Sequence, residues 1–187
     1  MSALTAAQRR FPLAQTVALL VVFIYGAATI DGFGQWFNVK SMLTLGALLA
    51  LAALGQTLVM ILGGLDLSIP GFIVLGAILV SELHGAHGWS SLTAILLPAG
   101  IAAVMGAATG WICHSNRIQP LIVTLGMGAL AAGGAIAWTK GSLTGTAPTF
   151  LTKISSPAST TFGIDIPPVV VITAVVAVVM ALVLHRS

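Results

Sequence analysis

The stretch LGQTLVMILGGLDLSIPGFIVLGAIL, residues 54–79, is almost wholly apolar but contains one carboxylate, Asp66. A glycine pair at 63–64 precedes the aspartate, and Ser68 and Pro70 follow it. Glycine and proline interrupt helices, and a carboxylate is costly in an apolar medium unless it has a partner. The stretch therefore predicts a helix that stops, a short irregular segment, and a second helix.

The composition around this stretch is that of a membrane protein. Hydrophobic residues make up 58% of the 187 residues and charged residues 6%, whereas soluble domains carry about 25% charged residues. Charge is absent from five long runs, 11–30, 41–65, 83–116, 118–139 and 166–185. Helices of about 20 apolar residues cross the roughly 30 Å hydrocarbon core. We predict an all-α polytopic membrane protein.

Several function classes are excluded by what the chain contains. The net charge is only +3 and no basic cluster is present, so nucleic acid is not an expected partner. Cys113 is the single cysteine, and the four histidines fall at predicted span ends or in loops. The chain has no converging ligand set for a metal, no nucleophile–base pair and no Walker A motif. We predict no catalytic residue, no metal site and no cofactor.

The hydrophobic runs predict about six membrane segments in one transmembrane domain that covers residues 1–187. The segments are Pro12–Ile30, Met42–Leu62, Pro70–Glu82, Ser91–Cys113, Pro120–Trp138 and Pro168–Leu184. The connection 139–167 is rich in Ser, Thr, Gly and Pro, which predicts an exposed loop with a short amphipathic piece around Phe150–Ile154.

The distribution of arginine and lysine predicts the orientation. Arg9 and Arg10 flank the first segment on its inner side, and the first helix usually dominates orientation. With a cytoplasmic N-terminus, Arg117 and Arg186 also face the cytoplasm, whereas the three lysines face outward. The first segment is long for a signal peptide, so we interpret it as an uncleaved helix. We expect both termini on the cytoplasmic side.

The third segment is unusually short. Proline is favoured in a first helical turn, so this helix is expected to begin at or near Pro70. Counted to Glu82 it would have 13 residues and a length of about 20 Å, too short to cross the core. The segment Gly63–Ile69 would then run back into the membrane as irregular backbone, with Gly63 and Gly64 accepting positive φ.

Asp66 has two interpretations on this prediction. Together with Ser68 it lies just ahead of a helix N-terminus, where free N–H groups and the helix dipole favour a carboxylate. It could therefore cap a broken helix. It could equally face a substrate path or a gate, because broken helices recur in transporters. The residues alone leave both roles open.

Two segments also resemble a known family. GQTLVMILGGLDLSIPG, residues 55–71, is similar to the GGxDLS hallmark of the monosaccharide-type ABC importer permeases, the ribose/xylose/galactose group. RIQPLIVTLGMGALAAGGAIAWTKG, residues 117–141, resembles a second family segment at the expected distance, and FGIDIPP, residues 162–168, resembles a third. Pro70 stands where the family usually has glycine.

The resemblance implies a function and a set of partners. The chain would be a non-catalytic permease subunit of an ATP-driven importer for a monosaccharide or small polyol, in the bacterial inner membrane. Its partners would be ATP-binding cassette ATPase subunits, a periplasmic or extracellular sugar-binding protein and a second permease chain. Family members continue beyond the position of Ser187 into a cytoplasmic coupling helix and further spans, so we expect the chain to be an N-terminal portion of such a permease.

The predicted functional residues lie in the two longer segments of resemblance. They are expected to line the substrate path or to support the broken helix, and they are Gly63, Gly64, Asp66, Ser68, Gln56 and Thr124. The alternative function is a small secondary transporter, or a self-associating six-helix membrane subunit, that needs no ATPase.

Overall fold

The structure, a computed structural model, describes residues 13–186, and every regular element within that range is helical. The elements are α1 (Leu13–Thr29), α2 (Trp36–Ile61), α3 (Ile69–Ser81, continued by a π-helical turn over Glu82–Ala86), α4 (Ser91–Asn116), α5 (Pro120–Trp138), α6 (Thr149–Ser155) and α7 (Pro168–Arg186). The all-α prediction is confirmed. Arg9, Arg10 and the predicted start of the first segment at Pro12 lie outside the described residues.

Five of these helices are long and apolar enough to cross a membrane. They are α2, α3 together with its π-helical turn, α4, α5 and α7. α1 is also apolar but has only 17 residues. Each predicted segment thus corresponds to one of the helices, which confirms the polytopic architecture. The short helix α6 covers the amphipathic piece predicted in the connection 139–167.

The predicted start of the second segment is wrong by six residues. α2 begins at Trp36 rather than Met42, because the charge of Lys40 does not end the helix. The Lys40 ammonium pairs with Asp165, 2.7 Å away, and Lys40 is buried within the fold. A lysine whose charge is neutralised by a carboxylate can lie in the first turns of an apolar helix. The sequence prediction instead placed the start of the helix after Lys40.

The predicted length of the third helix is also wrong. The α-helical part, Ile69–Ser81, has 13 residues, but a π-helical turn over Glu82–Ala86 extends it to 18. The His87 N–H donates to the Glu82 carbonyl at 3.0 Å, the five-residue spacing that defines such a turn. At 1.5 Å per residue the whole element is about 27 Å long, so its length alone does not force a re-entrant segment.

The helices form two packed groups. In the first, α3 lies against α4 and α5 over a buried cluster formed by Leu75, Ile78, Leu79, Leu83, Ala94, Ala131 and Ala135. In the second, α2 packs against α7, and the buried Thr173 hydroxyl lies 3.3 Å from the Ala47 carbonyl oxygen. The segment 62–68 leads from the second group, at the end of α2, to the first group, at the start of α3.

Candidate functional site

The connection between α2 and α3 is the irregular segment that the glycine pair predicts. No helix is present over residues 62–68. Gly63 has φ +80°, a left-handed conformation that residues with a Cβ rarely adopt. Its N–H donates to the Met60 carbonyl, and the Gly64 N–H donates to the Val59 carbonyl, both at 3.0 Å. These two bonds satisfy carbonyls at the end of α2 and turn the chain away from the helix axis.

Asp66 organises the backbone directly before α3. Its Oδ1 accepts hydrogen bonds from the Ser68 N–H at 2.8 Å and from the Ser68 hydroxyl at 2.5 Å. This is the Asx-type turn in which an aspartate bonds to the backbone two residues later. Ser68 is buried, and its carbonyl accepts the Phe72 N–H at the start of the helix. The carboxylate therefore holds the residue from which α3 begins.

Thr124 of α5 satisfies the next backbone group of the irregular segment. Its hydroxyl accepts the Leu67 N–H at 3.1 Å and donates to the Leu121 carbonyl at 3.2 Å. Thr124 is buried, so without this bond the Leu67 N–H would lose a partner in a nearly dry interface. Three of the predicted residues, Asp66, Ser68 and Thr124, thus meet in one place.

Two glycines bring the α3 and α5 backbones into direct contact at the same place. A Cβ added to Gly71 would overlap the carbonyl group and Cα of Gly128, and a Cβ on Gly128 would lie 2.9 Å from the Ser68 Cα. Only glycine permits such an approach. Sequence inspection missed Gly71, although its position just after a Pro-initiated helix start, facing a glycine-rich helix, was a usable signal.

These contacts fix the position of the irregular segment along the length of α5. Gly128 is eight residues, or about 12 Å, beyond the first residue of α5, a helix about 28 Å long. Ser68 packs against Gly128, so α3 begins more than a third of the way along α5. Because α3 is itself about 27 Å long, its far end extends beyond the end of α5. The helix is long enough to span but is displaced along its neighbour.

The other predicted residues are placed differently. Gln56 lies on α2, five residues before the helix ends, and its Oε1 is buried with no hydrogen-bond partner in the part of the chain that the structure describes. A buried amide oxygen of this kind calls for a partner outside those residues. Gly64 contributes through its backbone bond alone. The exposed flanks of the segment are Leu65 and Leu67, 49% and 42% exposed.

The opposite end of α3 is fastened by Glu82, which sequence inspection did not select. The buried Glu82 carboxylate accepts the backbone N–H groups of Thr144 and Gly145, each at 2.7 Å. Gly145 approaches so closely that an added Cβ would overlap the Ser81 carbonyl. A single glutamate at the end of an otherwise uncharged segment was the available signal, because a buried carboxylate requires donors.

A second carboxylate joins the start of α2 to the residues before α7. Asp165 accepts the Lys40 ammonium at 2.7 Å and the Trp36 indole N–H at 2.6 Å. The hydrogen bonds from Lys40 and then Trp36 hold the pKa of the Asp165 carboxyl below its ordinary value. In the predicted topology Lys40 faces outward, which would place this ion pair on the outer side of the membrane.

Comparison with known proteins now decides the family. The model described as branched-chain amino acid transport system / permease component matches residues 38–187. The chain belongs to this permease family. The match includes both the irregular segment and the α5 surface that holds it.

Individual relatives are named as permeases. The chain is 30% identical over 126 residues to the ribose import permease protein RbsC of Escherichia coli (strain K12), which covers 67% of this chain and 39% of that protein. It is 28% identical over 119 residues to the fructose import permease protein FrcC of Rhizobium meliloti, covering 62% and 33%. The inner membrane ABC transporter permease protein YjfF of Escherichia coli (strain K12) is 29% identical over 119 residues, covering 63% and 36%.

These matches confirm the resemblance to monosaccharide-type importer permeases. The matched region spans well under half of the length of these three relatives. No solved structure gives a significant match to the chain. The arrangement of the irregular segment on α5 is therefore described here from the chain itself.

Proposed function

We propose that this permease chain forms part of the translocation path of an ATP-driven importer for a monosaccharide or a similar small polyol. The observation that carries the proposal is the segment 62–68, which begins α3 partway along α5 within a chain matched by the permease family model. Irregular backbone at such a depth is tolerated where it is buried in protein or lines a wet cavity.

The segment has one fixed side and one open side. Asp66 and Thr124 hold its backbone against α5. The side chains of Leu65 and Leu67 are exposed on the remaining surface. In the proposed role the fixed side supplies a rigid wall, and the open side faces either the path or the next permease chain. The unpaired Gln56 amide oxygen is a second candidate to face the path.

The proposed partners follow from the resemblance and from the names of the relatives. ATP-binding cassette ATPase subunits would supply the energy, a sugar-binding protein would deliver the substrate from outside, and a second permease chain would complete the path. The chain itself would catalyse no reaction. Both termini would face the cytoplasm in a bacterial inner membrane, which places Glu82 and Asp165 on the outer side.

Reconstituted uptake tests this function. The chain is expressed with the ATPase, binding protein and any further permease chain that its own gene neighbourhood encodes, in cells that lack ribose and fructose import. Uptake of radiolabelled ribose and fructose should require the intact ATPase and should persist when a protonophore is added at constant ATP. Uptake that is independent of the ATPase and abolished by the protonophore would establish the secondary transporter instead. Absence of uptake across a panel of labelled monosaccharides and small polyols that includes both sugars, with every component present, would contradict the proposal.

A further inference from the structure

A polar cavity of 390 Å³ opens between the far end of α3, the end of α5 and the connection that follows α5. Its polar and aromatic lining consists of Glu82, His87, Trp138, Thr139, Ser142 and Thr144. Ligand pockets in proteins commonly measure about 300–1,000 Å³ and combine an apolar surface with a few directed polar groups. The volume of the cavity lies within this range, its lining is mainly polar with the Trp138 ring as an apolar surface, and it lies at the opposite end of α3 from the irregular segment.

The wall of the cavity is held rigidly by Glu82. Its Oε1 accepts the Thr144 and Gly145 N–H groups at 2.7 Å, whereas its Oε2 has only a long contact of 3.4 Å with the Thr144 hydroxyl. Oε2 therefore retains acceptor capacity. The charge is already stabilised by the two backbone donors, and no group of three metal-ligating side chains is present among the described residues. This favours a neutral ligand that donates hydrogen bonds over a cation.

An aromatic surface and unpaired polar groups complete the lining. The rings of Trp138 and His87 stack with centroids 5.6 Å apart. The His87 Nδ1 lies 3.0 Å from the Glu82 carbonyl oxygen, which can only accept, so Nε2 of the neutral ring is left as an acceptor. Within residues 13–185 neither the Trp138 indole N–H nor the Ser142 hydroxyl has a hydrogen-bond partner. The cavity thus offers both donors and acceptors beside an aromatic ring.

We propose that this cavity is a binding site for a monosaccharide, a neutral ligand whose hydroxyl groups both donate and accept. Its hydroxyls donate to Glu82 Oε2 and His87 Nε2 and accept from the Trp138 indole N–H, while Ser142 does either. Its C–H surface lies against the indole. The choice of a sugar among hydroxyl-rich ligands rests on the proposed function. The site would hold the substrate at one end of α3 before it reaches the irregular segment at the other.

Equilibrium binding to the purified 187-residue chain in lipid nanodiscs tests the site. Radiolabelled ribose and fructose are dialysed against the unaltered chain, Ser142→Ala and Ser159→Ala. The two serines lie in the same connection, but only Ser142 lines the cavity. We expect saturable binding of at least one sugar and an increase of about three- to tenfold in Kd for Ser142→Ala, the effect of one hydrogen bond. Ser159→Ala should leave Kd unchanged.

Tryptophan emission supplies a second measurement. Saturating sugar should change the emission of the unaltered chain, and the change should be absent in Trp138→Phe, which keeps an aromatic ring beside His87. Glycine betaine, a solute without hydroxyl groups, controls for changes in the medium. Absence of saturable binding by a chain with native helical circular dichroism would overturn the site, as would equal effects of the two serine variants.

The two proposals fail in distinguishable ways. ATP-dependent uptake of ribose or fructose in the complete transporter, together with no binding to the cavity, removes the site and leaves the proposed function intact. Saturable binding that depends on Ser142, together with no uptake when all components are present, retains the site and removes the proposed function.

Discussion

Replacing Gly71 by alanine tests the contact that positions α3 on α5. The new Cβ would lie 2.6 Å from both the Cα and the carbonyl carbon of Gly128, and nearer still to its carbonyl oxygen. Ordinary van der Waals contact begins at 3.4 Å, so relief of the two carbon contacts alone needs a separation of about 0.8 Å, and the nearer carbonyl oxygen needs a larger one. The obstacle is backbone, which cannot rotate out of the way as a side chain can.

This displacement indicates how much Gly71→Ala should lower the free energy of unfolding. Overpacking of a close-packed interface costs about 1–3 kcal/mol. We expect the upper part of this range, because a shift of the helix also loosens the buried cluster that contains Leu75 and Ala131 and stretches the Leu67–Thr124 hydrogen bond. At 1.4 kcal/mol per factor of ten, a cost of about 2–3 kcal/mol should raise the equilibrium constant for unfolding by roughly 30- to 150-fold.

Unfolding in mixed micelles, followed by circular dichroism as the denaturing detergent is increased, measures this change. Gly76→Ala is the matched control, since it lies in the same helix and nothing is within 4 Å of the added Cβ. Alanine raises helix propensity by up to about 1 kcal/mol over glycine, so Gly76→Ala should be neutral or stabilising. Equal unfolding midpoints for the two variants would refute the close contact between α3 and α5.

Three further predictions concern the Asp66 turn before α3, the Lys40–Asp165 ion pair and the orientation of the chain in the membrane. Asp66→Ala should lower the free energy of unfolding by about 1–3 kcal/mol, because the N–H and hydroxyl of the buried Ser68 lose their acceptor. Asp66→Asn should lower it less, because the amide oxygen can still accept. Unfolding midpoints of both variants measure this. Because the Asp165 pKa is lowered in the fold, its contribution to stability is present at neutral pH and is lost as the pH falls through its folded pKa. The midpoint difference between the native chain and Asp165→Asn should therefore shrink on acidification. A cysteine at Ser142 should react with an impermeant maleimide in intact cells, and one at Ser115 should not.

Each of these predictions has a control within the chain. The labelling variants are made in a Cys113→Ala background, and reversed accessibility would refute the proposed orientation. Asp31→Asn, at the connection between α1 and α2, is the control for charge removal, because the Asp31 carboxylate has no ion pair within the described residues, and its midpoint at neutral pH should match that of the native chain. If Asp66→Ala and Asp66→Asn unfold at the same midpoint but neither supports uptake, the role of Asp66 in the path outweighs its role in the turn.

The helix break could be predicted because its causes are local. A glycine pair, an Asx residue two positions before a serine, and a proline in a first turn each act within a few residues of their own position. Their combined effect is therefore visible in the sequence. The structure places Gly63 in the left-handed region and begins α3 at Ile69, within one residue of the prediction.

The two wrong helix ends were predicted at charged residues whose partners lie far away in the sequence. Lys40 marks a helix boundary only if its charge is free, and its partner is Asp165, 125 residues away along the chain. Glu82 marks the end of a segment only if its carboxylate is solvated, and its donors are Thr144 and Gly145. Neither pairing has a local signature. Both corrections lengthen helices for the same physical reason, that a satisfied charge no longer needs water.

The distribution of contacts also indicates where the chain can change shape. α3 is fastened to α5 near Gly71 and beyond α5 through Glu82, so these helices move together. α2 is fastened instead to α7, through the Thr173–Ala47 contact and the Lys40–Asp165 pair. The two groups are joined along the chain by residues 62–68.

Within that connection the two halves differ. The half at 66–68 is held to the first group, that of α3, α4 and α5, by the Asp66 turn and the Thr124 bond. The half at 62–65 is bonded back only to the end of α2, and it contains Gly63 and the 87%-exposed Leu62. We expect a displacement of one group against the other to be absorbed around Gly63 on this side, where φ can change at little cost, and in the connection 139–167 between α5 and α7 on the other. In the proposed translocation path, residues 66–68 would keep their shape during such a displacement, because Asp66 and Thr124 hold their backbone.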